Sequence, residues 1–138
     1  MKKVFSILMS VAICVFSCTF LTGCVEKTYK LVGIANTESQ LIEYYEDLSD
    51  DKKTILDSYK NFTIKLGFNN DITLKYATYD KPILTEYTIT GDYKIENEKL
   101  IVSFTFENGI QNTEDNNYYY NNRILYYDAS NDVYLVFE

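Results

Sequence analysis

From Phe62 to the C-terminus, apolar side chains stand at every second position over most of the chain. One such run is Phe62, Ile64, Leu66 and Phe68, and the turn-forming residues Asn69-Asn70-Asp71 separate it from the next run. Alternate side chains of a strand point to opposite faces, so this period indicates strands with one buried face. Short strands that are separated by turn residues join as antiparallel hairpins. The pattern therefore predicts a mainly β, antiparallel structure.

Turn signals divide the chain into about seven to eight strands. The segments with strand character are residues 29–35, 62–68, 72–76, 85–95, 100–106, 118–128 and 133–137. Gly91 predicts a bulge or a bend inside one of them. The polar residues 107–117 separate two of these segments, and residues 114–117 within them predict a mobile hairpin loop. This number of short strands is typical of an antiparallel barrel or sandwich.

One stretch after the first strand has a different period. Thr37-Glu38-Ser39-Gln40 fits a capping box, and it is followed at helical spacing by Leu41, Tyr45 and Leu48. A second helical turn is predicted over residues 50–59, with one face formed by Ile55, Leu56 and Tyr59. The sequence thus predicts a short helical insertion after the first strand.

The N-terminus has the layout of an export signal. The basic pair Lys2-Lys3 precedes an apolar run over residues 4–21, which ends in Leu21, Thr22, Gly23 and Cys24. Leu-Thr-Gly-Cys resembles the lipobox of bacterial lipoproteins. By that resemblance residues 1–23 are a signal peptide that is removed, and Cys24 receives a diacylglyceryl group and an N-acyl chain such as palmitate. The alternative is a transmembrane anchor, because the run approaches the roughly 18 to 20 apolar residues that span a bilayer.

The lipobox resemblance also implies a location and a domain plan. Two or more acyl chains anchor a protein stably, so the mature chain would be held on the cell membrane, facing the extracytoplasmic side. Residues 24–28 would form the lipidated cysteine and a tether of about 13 Å. Residues 29–138 are long enough for a single domain. Cys14 and Cys18 lie in the removed segment, so the mature chain has no disulfide.

The mature chain resembles a family of small bacterial lipoproteins with a lipocalin-like barrel. The shared features are the lipobox, a first strand of the Tyr-Lys-Leu-Val type, a helical stretch, and a pattern formed here by Gly91, Tyr93, Ile95, Asn97 and Leu100. The Gly-x-Trp of true lipocalins is missing, because the chain has no Trp. The resemblance implies a small antiparallel lipocalin-like barrel.

Composition excludes several functions. The chain has no His and carries 20 acidic against 13 basic side chains, a net charge of −7. Without His there is no Ser-His-Asp triad and no His-ligated zinc or haem. A nucleic-acid partner is not expected, because such binding needs clustered Lys and Arg. No sequence motif identifies a catalytic carboxylate pair or a Ser-Lys pair. We therefore expect that the chain is not an enzyme and that it has no cofactor other than the lipid on Cys24.

Tyrosine supplies most of the candidate binding residues, which are Tyr87, Tyr93, Tyr119 and Tyr126. The ring face and the hydroxyl of Tyr suit stacking on sugars or contact with a protein partner. The alternative is plain cross-strand packing, for which Tyr has a high propensity. On the predicted strand 118–128, Arg123 is expected to share a face with Tyr119. If it points inward it could hold a carboxylate or a phosphate, and otherwise it stacks on a ring or pairs with an exposed acid.

Two acidic stretches are weaker candidates. The first consists of Glu43, Glu46, Asp47, Asp50 and Asp51. Calcium takes six to eight oxygen ligands, but the spacing of an EF-hand loop is absent, so we interpret this stretch as a solvated helix face. Residues 114–117 are interpreted as a hairpin loop for the same reason. No metal site is predicted.

Two function classes follow from these observations. The first is a binding module, in which the barrel interior or mouth holds a small apolar or amphipathic molecule. The second is an interaction module, in which tyrosine-rich strands recognise an envelope protein or a glycan. Tyr87, Tyr93 and Tyr126 favour the first class if they line an open cavity, and the second if the barrel is filled and the rings lie outside. In both classes the bilayer is a partner through the anchor and the chain is a monomer.

Overall fold

The computed structural model describes residues 26–36 and 41–138. Within them it has one helix and nine strands: β1 Lys27–Ala35, β2 Ile42–Tyr44, α1 Asp50–Ser58, β3 Lys60–Leu66, β4 Asp71–Asp80, β5 Ile83–Glu96, β6 Lys99–Thr105, β7 Gln111–Tyr120, β8 Arg123–Asp128 and β9 Val133–Phe137. The N-terminal apolar run, the lipobox that ends at Cys24 and the capping box at residues 37–40 lie outside the described residues.

Eight of these strands close into an antiparallel barrel. They pair in the order β1, β3, β4, β5, β6, β7, β8 and β9, and β9 returns to pair with β1. β3 pairs with β1 only as far as Lys30. The extra strand, β2, pairs with residues 33–35 on the same edge of β1. The prediction of a mainly β, lipocalin-like antiparallel barrel of seven to eight strands is therefore confirmed, and β2 is one strand more than the barrel itself.

The barrel has two different ends. The start of β1 lies at one end, together with the β3–β4, β5–β6 and β7–β8 turns, and we call this the N-terminal end. The β4–β5, β6–β7 and β8–β9 turns lie at the other end, which we call the distal end. This arrangement follows from the antiparallel order, because each strand reverses the direction of the one before it.

Side chains fill the barrel toward its N-terminal end. Buried residues from six strands meet there, among them Tyr29, Ile64, Ile72, Leu100, Ile124 and Phe137. The interior of an eight-stranded barrel is just wide enough for such a filling. The core continues beneath the insertion between β1 and β3, where Leu48 and Leu56 are buried.

The insertion after β1 differs in part from its prediction. Residues 42–47 are strand β2 and a 3₁₀ turn, and the helix predicted from Leu41, Tyr45 and Leu48 is wrong there. The backbone groups of β1 that β3 leaves unpaired need partners, and β2 supplies them. The second predicted helical turn is confirmed as α1. Among the described residues, no helix is long and apolar enough to cross a bilayer.

The segment 118–128 is two strands, and its prediction as a single strand is wrong. Asn121 and Asn122 have φ values of 50° and 61° and form a two-residue turn between β7 and β8. Positive φ at both turn residues is typical of the tightest hairpins, and Asn tolerates it well. The hairpin loop predicted over residues 114–117 is also wrong, since β7 begins at Gln111 and pairs with β6.

Gly91 marks a close approach of two strands. It pairs with Ile72 on β4 and with Phe104 on β6, without a shift in register on either side. A Cβ atom at this position would lie 2.3 Å from the carbonyl oxygen of Ser103, so only glycine fits. Gly91 is thus the residue of β5 nearest the distal end that still pairs with β6. No bulge interrupts β5 at this position.

Candidate ligand-binding site at the distal end

The barrel strands separate toward the distal end. β5 and β6 pair no further than Gly91 and Phe104, and β7 and β8 pair no further than Tyr118 and Leu125. Beyond these points the strands diverge and leave a cavity of about 290 Å³. Small-molecule sites in proteins start at roughly this volume.

Aromatic and aliphatic side chains form most of the cavity wall. Phe62 is central to it, with its ring centroid 5.0 Å from that of Tyr76, 5.4 Å from that of Tyr59 and 6.4 Å from that of Tyr126. Aliphatic and further aromatic lining comes from Leu74, Ile89, Phe104, Phe106 and Leu135. Tilted and edge-to-face ring contacts of this kind hold a wall in one shape.

A β-bulge directs Glu114 into the cavity. Leu100 pairs with Asn117 and Val102 pairs with Glu114, so β7 carries one residue more than β6 between these pairs. Leu100 and Val102 are buried in the barrel interior, and residues directly opposite each other on antiparallel strands share a face. Glu114 and Asn117 therefore both point inward, although they are three positions apart.

Two tyrosine hydroxyls at the cavity donate to carboxylates. Tyr126 donates a hydrogen bond to Glu114, and Tyr59 donates to Asp128 at 3.0 Å. Burial, followed by the bond to Glu114, raises the pKa of Tyr126 well above its ordinary value. Burial and the bond to Asp128 raise the pKa of Tyr59 in the same way. Both hydroxyls are therefore protonated donors at neutral pH.

The charged groups that line the cavity are acidic. Glu114 and Asp128 belong to its wall, and none of its described lining residues is Lys or Arg. Asp128 accepts bonds from Tyr59, from the backbone N–H of Ser130 and from the Asn131 amide. Within the described part of the chain, Glu114 has no ion-pair partner, and its second oxygen accepts only a long 3.4 Å bond from Asn112.

The four predicted tyrosines all face the interior, in two separate groups. Tyr126 lines the cavity, and Tyr87 stacks on Tyr76 beside it with ring centroids 5.0 Å apart. Tyr93 and Tyr119 belong to the filled part of the barrel, where the Tyr119 hydroxyl lies 3.1 Å from that of Tyr29. The structure thus brings Tyr126 to the cavity, places Tyr87 next to it with 41% of its surface exposed, and leaves the other two in the packed core.

Arg123 lies on the outside of the barrel. It forms an ion pair with Glu138 and donates to the Tyr44 hydroxyl at 3.3 Å. The turn before β8 places Arg123 opposite Tyr120, whereas Tyr119 faces inward. The prediction that Arg123 and Tyr119 share a face is therefore wrong. The alternative, in which Arg123 pairs with an acid, is the arrangement found in the structure.

A wider groove of about 570 Å³ lies where β1 and β3 separate after Lys30. Its wall mixes Lys30, Asp57 and Asn61 with apolar side chains, so it has no single charge character. In the acidic stretch nearby, Glu43 pairs with Lys52. No group of three or more acidic or Cys side chains in the described residues converges on a point that could hold a metal ion.

Sequence reasoning missed several residues of the cavity. It placed Glu114 in a loop, so the inward direction of this side chain could not be found. The Asn121-Asn122 doublet was an available signal for the turn between β7 and β8, but it does not show that the strand before it extends back to Glu114. Tyr59, Phe62 and Tyr76 were predicted as buried strand or helix residues, but their meeting at one end depends on the barrel register.

Comparisons of the chain with models of protein families, with curated proteins and with solved structures found no match. Its function is therefore argued from the cavity and from the position of the cavity in the barrel.

Proposed function

We propose that the chain is a membrane-anchored extracytoplasmic lipoprotein that binds a small apolar or amphipathic molecule in the distal cavity. The observation that carries this proposal is the cavity itself, an aromatic-walled opening in a barrel whose other half is filled. Ligand sites commonly combine apolar walls with a few polar groups that orient the ligand. Glu114, Asn112 and Tyr126 are such groups.

The direction of the cavity supports an anchored binding role. Only Val25 and Glu26 separate Cys24 from Lys27, the first residue of β1. A lipid on Cys24 would therefore hold the N-terminal end of the barrel next to the membrane surface. The cavity lies at the opposite end, so it would open toward the surrounding medium and remain accessible to ligands.

Native mass spectrometry tests the binding role. The chain is produced in a bacterial host, purified gently and weighed under native and denaturing conditions. We expect a reproducible extra mass that is lost on denaturation, and its fragmentation would identify the ligand class. A native mass equal to the denatured mass, in samples titrated with small amphiphiles as well, would contradict the proposal.

The anchor is tested separately with two cysteine variants. Cys24→Ala removes the sulfur that would carry the lipid, so we expect the uncleaved precursor and no incorporation of labelled palmitate. Cys18→Ala changes a cysteine of the same N-terminal run outside the lipobox, and it is expected to be processed and labelled normally. Processing of Cys24→Ala to the mature size would remove the lipoprotein assignment.

A second candidate function rests on the outer face of the barrel. Leu125 and Val136 point outward and are completely buried beneath tyrosine rings, among them Tyr118, Tyr120 and Tyr134. Partly buried rings beside an apolar base suit an interface with an envelope protein or a glycan. Crosslinking from position 120 in intact cells tests this candidate. A specific crosslinked partner would support it, and recovery of the uncrosslinked chain alone would oppose it.

A further inference from the structure

Glu114 is an acidic group without a cationic partner inside a partly enclosed aromatic cavity. Its carboxylate accepts bonds from Tyr126 and Asn112, yet no Lys or Arg of the described residues pairs with it. A carboxylate has about four acceptor positions, so two hydrogen bonds leave part of its capacity open. Partial removal from water makes such a charge unfavourable unless an opposite charge is near.

The polar groups of the cavity are suited to a ligand that donates hydrogen bonds. The hydroxyls of Tyr59 and Tyr126 already donate to carboxylates, so they offer a ligand only acceptor positions. The hydrogen-bonding positions that remain open to a ligand are therefore mostly acceptor positions. A ligand that brings N–H groups or a positive charge complements this wall, whereas an anionic ligand would face Glu114 and Asp128.

The rings around Phe62 complement a cation as well. The faces of Phe and Tyr rings carry partial negative charge and attract ammonium groups, more strongly where water is displaced. Tyr59, Tyr76 and Tyr126 surround Phe62 at the cavity, and aliphatic residues form the rest of the wall. The same cavity therefore offers a site for an ammonium group and a site for an apolar part.

Resting on the proposed function, we propose that the distal cavity selects a cationic amphiphile, in which an ammonium group contacts Glu114 and the aromatic rings while a short apolar chain lies against Leu74, Ile89 and Leu135. The volume of about 290 Å³ limits the size of the enclosed part. It corresponds to roughly ten water molecules, and thus to a ligand portion of about ten non-hydrogen atoms.

Three probes with the same six-carbon chain test this proposal: hexylammonium, 1-hexanol and hexanoate. The full chain is reconstituted in phosphatidylcholine nanodiscs, with empty nanodiscs as the blank, and binding is followed by ligand-observed NMR. We expect the cation to bind about tenfold more tightly than hexanoate, with hexanol between them. The preference should weaken as salt is added, since salt screens partly exposed charges.

Glu114→Gln and Glu107→Gln form a matched pair of variants. Glu114→Gln removes the charge and keeps an oxygen that can accept the Tyr126 bond, so cation binding should weaken about five- to tenfold. Hexanol binding should change much less than cation binding, because hexanol carries no charge. Glu107 is exposed beyond the end of β6, and Glu107→Gln should change neither. The thermal midpoint of each variant checks that it is folded.

The outcomes separate the ligand class from the binding function. If hexanol or hexanoate binds as tightly as the cation, the charge preference is overturned and the cavity remains a neutral apolar site. If none of the three probes binds, both the ligand class and the small-molecule function are overturned. The comparison of probes uses the unaltered chain, so it decides the question even if Glu114→Gln fails to fold.

Discussion

The hydroxyl of Tyr126 donates a hydrogen bond to the carboxylate of Glu114 across the seam between β8 and β7. The two strands are not paired at this level, because their pairing stops at Tyr118 and Leu125. In the same seam the Asn117 side-chain oxygen accepts a 2.8 Å bond from the backbone N–H of Tyr127. Where the barrel opens, side-chain hydrogen bonds thus join β7 and β8 in place of backbone pairing. The shape of the cavity depends on these bonds.

Tyr126→Phe is expected to destabilise the fold. The change keeps the ring in the wall but removes the hydroxyl that donates to Glu114, so a partly buried carboxylate loses one of its two hydrogen bonds. We expect the free energy of unfolding to fall by about 1–2 kcal/mol, measured by urea denaturation. The control is Tyr127→Phe, which removes the bond of an outward hydroxyl to Asp132 and should leave the unfolding midpoint unchanged. Equal effects of the two changes would contradict the role of the seam.

The stability of the fold is expected to decrease in alkaline solution. The pKa values of Tyr29, Tyr59 and Tyr126 are raised above the ordinary value of 10.0, in each case mainly by burial. A raised pKa in the folded state means that the stabilising contribution is complete below pH 10, where both states are protonated. Above pH 10 the unfolded chain loses protons that the folded chain keeps, so unfolding becomes more favourable as the pH rises.

This pH dependence is measured as the urea midpoint between pH 8 and pH 11.5. We expect a flat profile up to about pH 9.5 and a steady fall beyond it. Tyr59→Phe removes one of the three groups and should make the fall shallower. A midpoint that is constant up to pH 11.5 would show that these hydroxyls ionise equally in the folded and unfolded chains.

Glu98→Gly is expected to stabilise the turn between β5 and β6. Asn97 and Glu98 form a two-residue turn with φ values of 51° and 67°, and a residue with a side chain is strained there. Glycine adopts this conformation freely, so the change should raise the free energy of unfolding by about 1 kcal/mol. Glu96→Gly, two positions earlier in β5, should have the opposite effect because glycine weakens a strand. A loss of stability in Glu98→Gly would contradict the argument from φ.

Much of the barrel could be predicted from local patterns. The alternation from Phe62 to Tyr76 and the turn residues Asn69 and Asn70 place β3 and β4 within a few residues of their observed bounds. These signals are local, since they depend only on which face of a strand is buried. β7 lacked these local signals, because residues 111–117 are polar and have a low strand propensity. Pairing with β6 overrides that propensity.

The cavity could not be predicted, because it is formed where pairing stops. The bulge in β7 shifts the inward face from Glu114 to Asn117, and no residue type between them marks a bulge. The separation of β5 from β6 over residues 83–90, before Gly91, depends on three strands at once. Periodicity describes which side chains point inward, but the separation of strands is a property of the closed barrel.

The distal half of β5 has a free edge. Residues 83–90 pair with β4 on one side, and on the other side they pair with no strand of the described chain. Their side chains are mostly exposed, and Ile83 has 64% of its surface accessible. Glu86 is the only charged residue in this run of strand-forming side chains. Charges on an edge strand oppose pairing with another copy, because like charges would meet across the new ladder.

Glu86→Val is therefore expected to make the protein associate with itself. The change removes the single charge of residues 83–90 and adds a strand-forming side chain, so edge-to-edge pairing loses its main opposition. Sedimentation velocity over a range of concentrations measures the effect, and the original chain should sediment as a smaller species than the variant. Glu107→Val removes the same charge from the exposed segment beyond β6 and should not associate, which separates the edge effect from a general loss of net charge. If both variants associate equally, net charge and not the free edge keeps the copies apart.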